Sequence, residues 1–348
     1  MPENPLAADL DHMLDHTREI WEEIRSERLF ITGGTGFFGC WLLESFLWAN
    51  ERLRLGASAT ILTRSPQAFI AKTPHLALAE NITLVEGDIR TFAFPTGTFS
   101  HVLHAASEAS AKLNSGNPLL TLDTIVDGTR RALDFASLCG AKNFLLTSSG
   151  AVYGKQPADL THIPEDFPGA PDPLDPKSAY GQGKHQAEHL CAQYTRADGL
   201  QPKIARCFAF VGPFLPLDTH FAIGNFIRDG LKGGPIVIQG DGTPLRSYLY
   251  GADLAIWLWT ILLQGKALRP YNVGSEVIIS IADLANVVAG ISKPTPKVLI
   301  NHPVPSSIPS ERYVPSTKMA REELGLLQWI DLTMAVHKTY KWYMDTSR

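Results

Sequence analysis

The feature that most constrains this chain is a series of glycines directly after a short apolar run. Residues 29–32 read as a strand, and glycines then recur at Gly33, Gly36 and Gly39 before a second apolar stretch. This order predicts strand, tight turn and buried helix, with Gly33 for the turn, Gly36 for close approach of a ligand and Gly39 for helix packing. Because a helix N-terminus presents free N–H groups to phosphate, the stretch predicts a dinucleotide-binding turn.

Alternating strand and helix patterns then continue to about residue 210. Strand-like runs lie at 59–65, 82–85, 101–103, 143–146 and 203–208, with helical periodicity at 119–138 and 178–194. This alternation predicts an α/β fold whose core is a Rossmann-type doubly wound parallel sheet over residues 29–210. From residue 211 to 348, shorter units separated by Gly and Pro predict a smaller, mixed C-terminal substrate-binding lobe, with segments near 245–275 returning to the Rossmann domain.

Residues 1–28 precede the first predicted strand as an N-terminal helical extension. Apolar side chains recur there at helical spacing, among them Leu10, Leu14 and Trp21. Two interpretations are open: a helix that covers the surface of its own domain, or a contact with a second copy or another partner.

Composition excludes several classes of protein. The chain has 348 residues, 45% hydrophobic and 19% charged, with a net charge of -4, so it has no basic field for nucleic acid or an anionic membrane. Its four cysteines are far apart in apolar contexts, which predicts buried thiols and no metal site. No apolar run reaches the roughly 20 residues of a membrane span, and the N-terminus is polar, so we expect a cytoplasmic protein without a membrane partner.

Three residues in these patterns carry acid–base potential. Tyr180 and Lys184 are four residues apart, which puts them on one helix face. A nearby cation lowers the pKa of a tyrosine from its usual value near ~10, so Lys184 would make Tyr180 a usable base and could also bind the nicotinamide ribose. Ser149 follows a buried strand at the same predicted edge and could hydrogen-bond the same substrate oxygen. The alternative for Tyr180 and Lys184 is an ordinary pair on an amphipathic surface helix.

Together these stretches resemble the extended short-chain dehydrogenases/reductases, specifically the NAD(P)-dependent nucleotide-sugar epimerase/dehydratase family. The motifs that carry the resemblance lie at 32–39, 87–88, 104–106, 148–154, 180–184 and 246–254. The resemblance implies that Ser149, Tyr180 and Lys184 are catalytic and that the substrate is a nucleotide-diphosphate sugar. It also implies a homodimer formed by the helical patterns at 119–138 and 178–194.

The resemblance further implies two sets of binding residues. NAD(P) contacts are expected at Gly33, Thr35, Gly36, Phe37, Phe38, Gly39, Arg64, Asp88, Ile89, His104, Ala105, Ala106, Tyr180 and Lys184. Sugar-nucleotide contacts are expected at Ser107, Ser149, Asn225, Arg246 and Arg312. Both arginines in the second set match residues that grip the diphosphate in relatives, although the guanidinium fork suits ordinary surface salt bridges equally well.

Arg64 bears on the choice of cofactor. It ends the second predicted strand, where a site that prefers NAD usually carries an acid for the ribose hydroxyls. An arginine suits a 2′-phosphate, so this residue favours NADP(H). The alternative is a solvent-exposed arginine without a cofactor role.

Two departures from the family pattern narrow the reaction. Sugar-nucleotide 4,6-dehydratases typically carry an acidic pair directly after the catalytic Ser or Thr, whereas this chain has Gly150 and Ala151 there. The segment is more similar to that of UDP-galactose 4-epimerase, which argues against a simple dehydratase. Ala209 stands where many relatives have an asparagine that touches the substrate, so the sugar contacts differ from those of the standard epimerase.

The predicted function is an NAD(P)-dependent epimerase that transiently oxidises a sugar hydroxyl to a 4-keto intermediate. The first alternative keeps the same residues and runs one way, with NADPH reducing a 4-keto-6-deoxy-sugar nucleotide. The second is a non-catalytic protein that senses NADP(H) levels through the same fold.

Overall fold

The computed structural model of the protein describes residues 4–106, 116–219, 221–302 and 311–346. Ser107, one of the predicted substrate contacts, lies outside the described residues. No helix within these ranges combines the length and the apolar character that a membrane crossing requires.

The strands are short and spread along the whole chain. They are β1 (Arg28–Thr32), β2 (Ser58–Thr63), β3 (Ile82–Glu86), β4 (His101–His104), β5 (Asn143–Ser149), β6 (Gln201–Cys207), β7 (Phe210–Val211), β8 (Ile236–Ile238), β9 (Leu245–Arg246), β10 (Leu249–Tyr250), β11 (Pro270–Val273), β12 (Ile279–Ser280), β13 (Val298–Ile300) and β14 (Arg312–Tyr313).

The α-helices alternate with these strands. They are α1 (Ala7–Thr17), α2 (Phe37–Leu53), α3 (Pro66–Lys72), α4 (Pro74–Ala77), α5 (Pro118–Leu138), α6 (Ala179–Asp198), α7 (Ala222–Leu231), α8 (Gly251–Gln264), α9 (Ile281–Ile291), α10 (Lys318–Leu324) and α11 (Leu332–Thr346). Single turns of 3-10 helix lie at Ile20–Ile24, Gly150–Tyr153 and Pro176–Ser178.

Seven of the described strands form one parallel sheet in the order β11-β6-β5-β4-β1-β2-β3. The chain runs outward from β1 through β2 to β3, and then crosses to β4 on the other side of β1. This reversal leaves a crevice at the carboxyl ends of β1 and β4, where doubly wound sheets bind their ligands. The predicted Rossmann-type fold is confirmed.

The sheet is covered on both faces because its strands are apolar on both. Leu29 and Ile31 of β1 belong to a core shared with Trp41 of α2. Phe30 points to the opposite face, where its ring centroid lies 4.5 Å from that of Phe135 on α5. Alternate residues of one strand thus fill two separate cores, as expected of a parallel sheet between two helix layers.

The N-terminal extension packs onto its own domain. Trp21 is buried, and its ring centroid lies 4.8 Å from that of Trp259 on α8. Asp9 of α1 accepts hydrogen bonds from Tyr250 Oη at 2.9 Å and from Lys338 Nζ at 2.7 Å. Of the two interpretations of this segment, the covering helix is the one that these contacts support.

The elements beyond residue 211 stay joined to the sheet. β11 extends the central sheet beside β6, and α8 shares a core with β1, as expected if segments near 245–275 belong with the Rossmann domain. Shorter strands form a three-stranded sheet, β12-β9-β14, and the pairs β13-β8 and β10-β7. The domain boundary at residue 211 stays a prediction, because the larger core runs through both parts.

Candidate active site

The glycine turn connects β1 to α2. Gly33 has φ +72°, and a Cβ there would lie 2.5 Å from the Ala105 carbonyl carbon. A Cβ on Gly39 would lie 2.3 Å from Gly34 Cα. Both positions therefore require glycine for reasons internal to the fold.

Gly36 differs from its two neighbours in the motif. It is exposed, and a Cβ added there would meet no described atom closer than the Gly33 carbonyl oxygen, at 3.5 Å. Gly36 is also the N-cap of α2, and no described side chain caps that helix end. The first N–H groups of α2 therefore face an open cradle, which fits the pyrophosphate of a dinucleotide.

Basic side chains surround Asp88, which follows β3. Arg90 donates to both carboxylate oxygens, from Nε at 2.8 Å and from Nη2 at 3.1 Å. This hydrogen bonding lowers the pKa of Asp88, and the charge of Arg64 acts in the same direction. Arg64 itself is exposed just after β2, and Ile89 packs against Gly128 of α5. The predicted adenosine contacts thus lie at the ends of adjacent strands.

His104 lies behind the turn, with both ring nitrogens engaged inside the protein. Nδ1 is 2.8 Å from Thr32 Oγ1, and Nε2 is 3.1 Å from Thr129 Oγ1. Burial, together with the charge of Lys184, lowers the pKa of His104 to about 3, so the ring is neutral. Thr32 Oγ1 also accepts the N–H of Ala106 at 3.2 Å. The expected contact between His104 and the dinucleotide stays a prediction; in the structure the His104 ring supports the turn from inside the sheet.

Lys184 is held beneath the carboxyl edge of the sheet. Its Nζ donates to the Thr147 carbonyl oxygen at 2.6 Å and lies 5.9 Å from the Tyr180 ring centroid. Burial lowers the pKa of Lys184 to about 8, and Cys207 and Glu188 oppose that shift. The lysine thus remains mostly protonated at neutral pH beside the tyrosine.

The helix that carries Tyr180 meets the turn after Ser149 because Gly181 lets the two elements touch. Ser149 is buried at the end of β5, and its Oγ accepts the Ala151 N–H at 3.1 Å. A Cβ on Gly181 would lie 2.7 Å from the Ala151 carbonyl oxygen. The helix that carries Tyr180 and Lys184 therefore rests directly on the turn that follows Ser149. The structure brings the three predicted catalytic residues to one edge.

An aromatic ring occupies the space beside Ser149. A Cβ on Gly150 would lie 2.6 Å from Phe208 Cζ, so a larger residue would displace that ring. Two carboxylates near the site, Glu188 and Glu165, are already engaged. Glu188 pairs with Arg206 at 2.7 Å, and Glu165 accepts the Asn272 N–H at 2.9 Å.

Sequence reasoning missed this network and one residue of the site itself, Tyr313. The Tyr313 hydroxyl lies 3.4 Å from Ser149 Oγ, and its ring centroid is 4.6 Å from that of Phe208. Its only signal in the sequence was its position next to Arg312. No local pattern indicates that it returns to a serine 164 residues away.

The two predicted diphosphate arginines lie on neighbouring strands but differ in position. Arg246 pairs in register with Tyr313, whereas Arg312 pairs with Leu245. Because side chains alternate along a strand, Arg246 shares a face with Tyr313 and Arg312 extends from the opposite face. Arg246 also contacts Glu311, with Nη2 at 3.0 Å from Oε1. The expectation that both arginines bind the diphosphate stays a prediction; in the structure the two side chains extend from different faces of the small sheet.

The remaining polar groups of this lobe have distinct surroundings. Arg312 Nε and Nη1 are buried without a hydrogen-bond partner in the described part of the chain. Buried unpaired guanidinium groups favour an anion. Asn225, on α7, accepts a hydrogen bond from Arg228 Nη1 at 2.9 Å, which occupies one of the two acceptor positions of its amide oxygen.

Comparisons with known proteins agree with this geometry. The NAD dependent epimerase/dehydratase family matches residues 29–274. UDP-glucuronic acid decarboxylase 6 of Arabidopsis thaliana is 31% identical over 86% of this chain and 83% of its own length. UDP-glucuronic acid decarboxylase 1 of Xenopus tropicalis is 28% identical over 75% of this chain and 59% of its own length.

Solved structures share the fold at lower sequence identity. A UDP-glucose 4-epimerase from Thermotoga maritima, with UDP-glucose, superposes with a TM-score of 0.77 at 20% identity, covering 92% of this chain and 100% of its own. A dTDP-glucose 4,6-dehydratase from Streptomyces venezuelae, with NAD bound, gives 0.77 at 23% identity, covering 91% and 97%. With a family match over most of its length and a fold common to these enzymes, the chain belongs to the NAD dependent epimerase/dehydratase family.

Proposed function

We propose that this protein epimerises a nucleotide-diphosphate sugar by transient oxidation at C4, with Tyr180 as the acid–base group. The observation that carries the proposal is the convergence of Ser149, Tyr180 and Lys184 at one edge of the sheet, where the residue directly after the serine is Gly150, packed under Phe208, and not an acid. Such a site can move a proton at one sugar oxygen, and the two positions after Ser149, where a dehydratase would carry an acidic pair for the elimination of water, hold Gly150 and Ala151.

The dinucleotide supplies the redox step when it is bound, by accepting a hydride from the carbinol carbon and returning it. The open cradle at Gly36 and the first turn of α2 would hold its pyrophosphate. Asp88 at the end of β3 would face its adenosine half, and Lys184 would reach the ribose next to the nicotinamide.

The protein's own chemistry is the transfer of one proton. Tyr180 takes the proton of the sugar hydroxyl, and the ammonium of Lys184 stabilises the phenolate that this requires. Ser149 donates a hydrogen bond to the same oxygen as it becomes a carbonyl. In the return step Tyr180 gives the proton back, and the opposite configuration results when the other face of the 4-keto sugar receives the hydride.

A second candidate is the one-way reduction of a 4-keto-6-deoxy-sugar nucleotide by NADPH. Arg64 favours it, because the exposed guanidinium follows β2 at the position that faces the adenosine ribose. In that reaction Tyr180 donates its proton to the ketone, and no return step is needed.

A panel of substrates separates the candidates. Purified protein is incubated with UDP-glucose, UDP-galactose, UDP-glucuronate and a dTDP-linked 4-keto-6-deoxyhexose, and products are identified by mass spectrometry and NMR. Interconversion of the two UDP-hexoses without net cofactor consumption supports the epimerase. Stoichiometric oxidation of NADPH by the keto sugar supports the reductase. Loss of CO₂ from UDP-glucuronate, the activity named in the curated relatives, contradicts both.

The same panel includes variants that test residue roles. Tyr180→Phe is expected to lose turnover by about 10³-fold or more with dinucleotide binding retained, whereas a dinucleotide sensor would keep its binding and show no turnover in any variant. Arg64→Asp is expected to weaken NADPH binding about tenfold or more and to leave NADH binding unchanged. Arg54→Asp makes the same charge change at another exposed position and is the matched control.

We also propose that the protein is a homodimer joined through α5 and α6. A half-open groove runs along these two helices, lined by Val126, Arg130, Gln182, His185 and His189 among others. Sedimentation velocity over a hundredfold concentration range tests this proposal, and a monomer at every concentration contradicts it.

A further inference from the structure

Within the described ranges of the chain, Ser149 Oγ has two hydrogen-bonding neighbours. One is the Ala151 N–H, which donates to Oγ at 3.1 Å. The other is the Tyr313 hydroxyl at 3.4 Å, brought from β14 near the other end of the chain. These two contacts determine which donor and acceptor positions of the serine hydroxyl remain for the substrate.

A serine hydroxyl has one donor and two acceptor positions. The Ala151 N–H fills one acceptor position. If Tyr313 donates, it fills the second, and the hydroxyl proton of Ser149 is left for the substrate oxygen. If Ser149 donated to Tyr313 instead, it would lose the one proton that a developing carbonyl needs.

We propose that Tyr313 is a positioning residue that donates to Ser149 Oγ and thereby orients the Ser149 proton toward the reacting oxygen of the sugar. This inference rests on the proposed function for the role of Ser149. The hydrogen-bond direction itself is a property of the protein alone.

The surroundings of Tyr313 suit a fixed neutral donor. Its ring packs against that of Phe208 at an interplanar angle of 35°, with 4.6 Å between centroids. Burial raises the pKa of the Tyr313 hydroxyl far above its usual range, with Tyr180 and Cys207 adding to the shift and Arg246 and the Ser149 hydrogen bond opposing it. The hydroxyl therefore keeps its proton throughout the working pH range.

The strand that carries Tyr313 is anchored on both sides. The Val314 N–H donates to Gln156 Oε1 at 2.9 Å, and the Val314 carbonyl oxygen accepts the Ile163 N–H at 2.9 Å. On the other side, Tyr313 pairs in register with Arg246 of β9. The hydroxyl thus occupies a fixed point, which a positioning role requires.

A double-mutant cycle tests the proposal in the full-length enzyme. Tyr313→Phe keeps the ring on Phe208 and removes only the hydroxyl, so we expect kcat to fall about tenfold, with the thermal midpoint, KM and dinucleotide Kd unchanged. In the Ser149→Ala background the same change is expected to cost nothing further. Tyr340→Phe, which removes a buried hydroxyl bonded to the Gly230 carbonyl oxygen, is the matched control.

Additive losses in the cycle, or an unchanged kcat in Tyr313→Phe, would overturn the proposal. The assay is UDP-galactose conversion or NADPH-dependent reduction of the dTDP-linked keto sugar, whichever the panel finds.

A second measurement does not depend on turnover. The Tyr313 hydroxyl proton, assigned by NMR from its absence in Tyr313→Phe, is expected to exchange slowly with water and to shift in Ser149→Ala. Rapid exchange with no response to Ser149→Ala contradicts the proposal even if no sugar nucleotide is turned over. A protected, responsive proton in a protein that turns over none of the sugars would leave the hydrogen-bond direction standing and remove the proposed function.

Discussion

Lys184 shows how burial changes the chemistry of a single residue. The sequence predicts its partnership with Tyr180 from their spacing, and the structure places the ammonium 5.9 Å from the tyrosine ring. The same burial brings the lysine pKa down to about 8, which no local pattern predicts because it depends on the whole surrounding core.

This pKa predicts a basic limb in the pH profile. Above about pH 8 the buried lysine loses its proton, so Tyr180 loses its cation, and kcat/KM in the oxidative direction is expected to fall. Lys184→Arg, which stays protonated, is expected to move the limb to higher pH, and Lys184→Met to lower kcat about 100-fold or more at pH 7.

Lys203→Met is the matched control, since burial also lowers the pKa of Lys203 but the residue lies on β6 outside the site.

The lowered pKa of Lys184 also makes the free energy of unfolding depend on pH in a definite direction. Folded Lys184 binds fewer protons than unfolded lysine between about pH 8 and 10.5, so its contribution to the free energy of unfolding rises with pH across that window. A basic limb that is unchanged in Lys184→Arg would assign the limb to another group.

At the scale of elements, α6 is placed by a residue with no side chain. The sequence predicts the helix and its Tyr/Lys face, but the role of Gly181 appears only where α6 meets the turn after β5. A Cβ there would lie 2.7 Å from a backbone oxygen and 2.9 Å from Pro171 Cγ, so the helix would have to move.

Gly181→Ala therefore tests the position of α6 separately from the stability of the fold. Displacement of α6 shifts Tyr180 and Lys184 relative to Ser149, and we expect kcat to fall about 10- to 100-fold, since an error of roughly 1 Å in placement costs that much. Gly290→Ala is the control, because Gly290 lies in α9 with open space around its Cβ position and is expected to be neutral or to stabilise by up to about 1 kcal/mol. Steady-state kinetics and urea unfolding measure both; equal kcat values for the two variants would contradict this role.

At the scale of the whole molecule, the sequence predicts those features that local patterns and family motifs encode. The glycine turn, the alternation of strands and helices, and the triad of Ser149, Tyr180 and Lys184 are all visible in short stretches. Tyr313 and the opposite orientations of Arg246 and Arg312 are not, because they depend on pairing between strands far apart in the chain. Long-range register has no local signal.

The packing of the N-terminal extension, in the 3-10 turn that follows α1, leads to a prediction for the whole molecule. Trp21 is buried against Trp259 and donates from Nε1 to Thr17 Oγ1 at 2.9 Å. Trp21→Ala is expected to lower the free energy of unfolding by about 3–5 kcal/mol, as for other large buried side chains. Urea titration measures it, with exposed Arg18→Ala expected within about 0.5 kcal/mol of the wild type. A loss below 1 kcal/mol for Trp21→Ala would contradict this prediction.

The hydrogen bonds of Asp9 have a practical consequence for anyone who trims this protein. The family match begins at residue 29, which invites a shortened gene that starts there. Such a product would lack the carboxylate that links Tyr250 to Lys338, and it would expose the Trp259 face of α8 to water. Aggregation during expression would then result from the removal of this segment and would not be a property of the enzyme itself. The segment from residue 4 should therefore be kept in any shortened version.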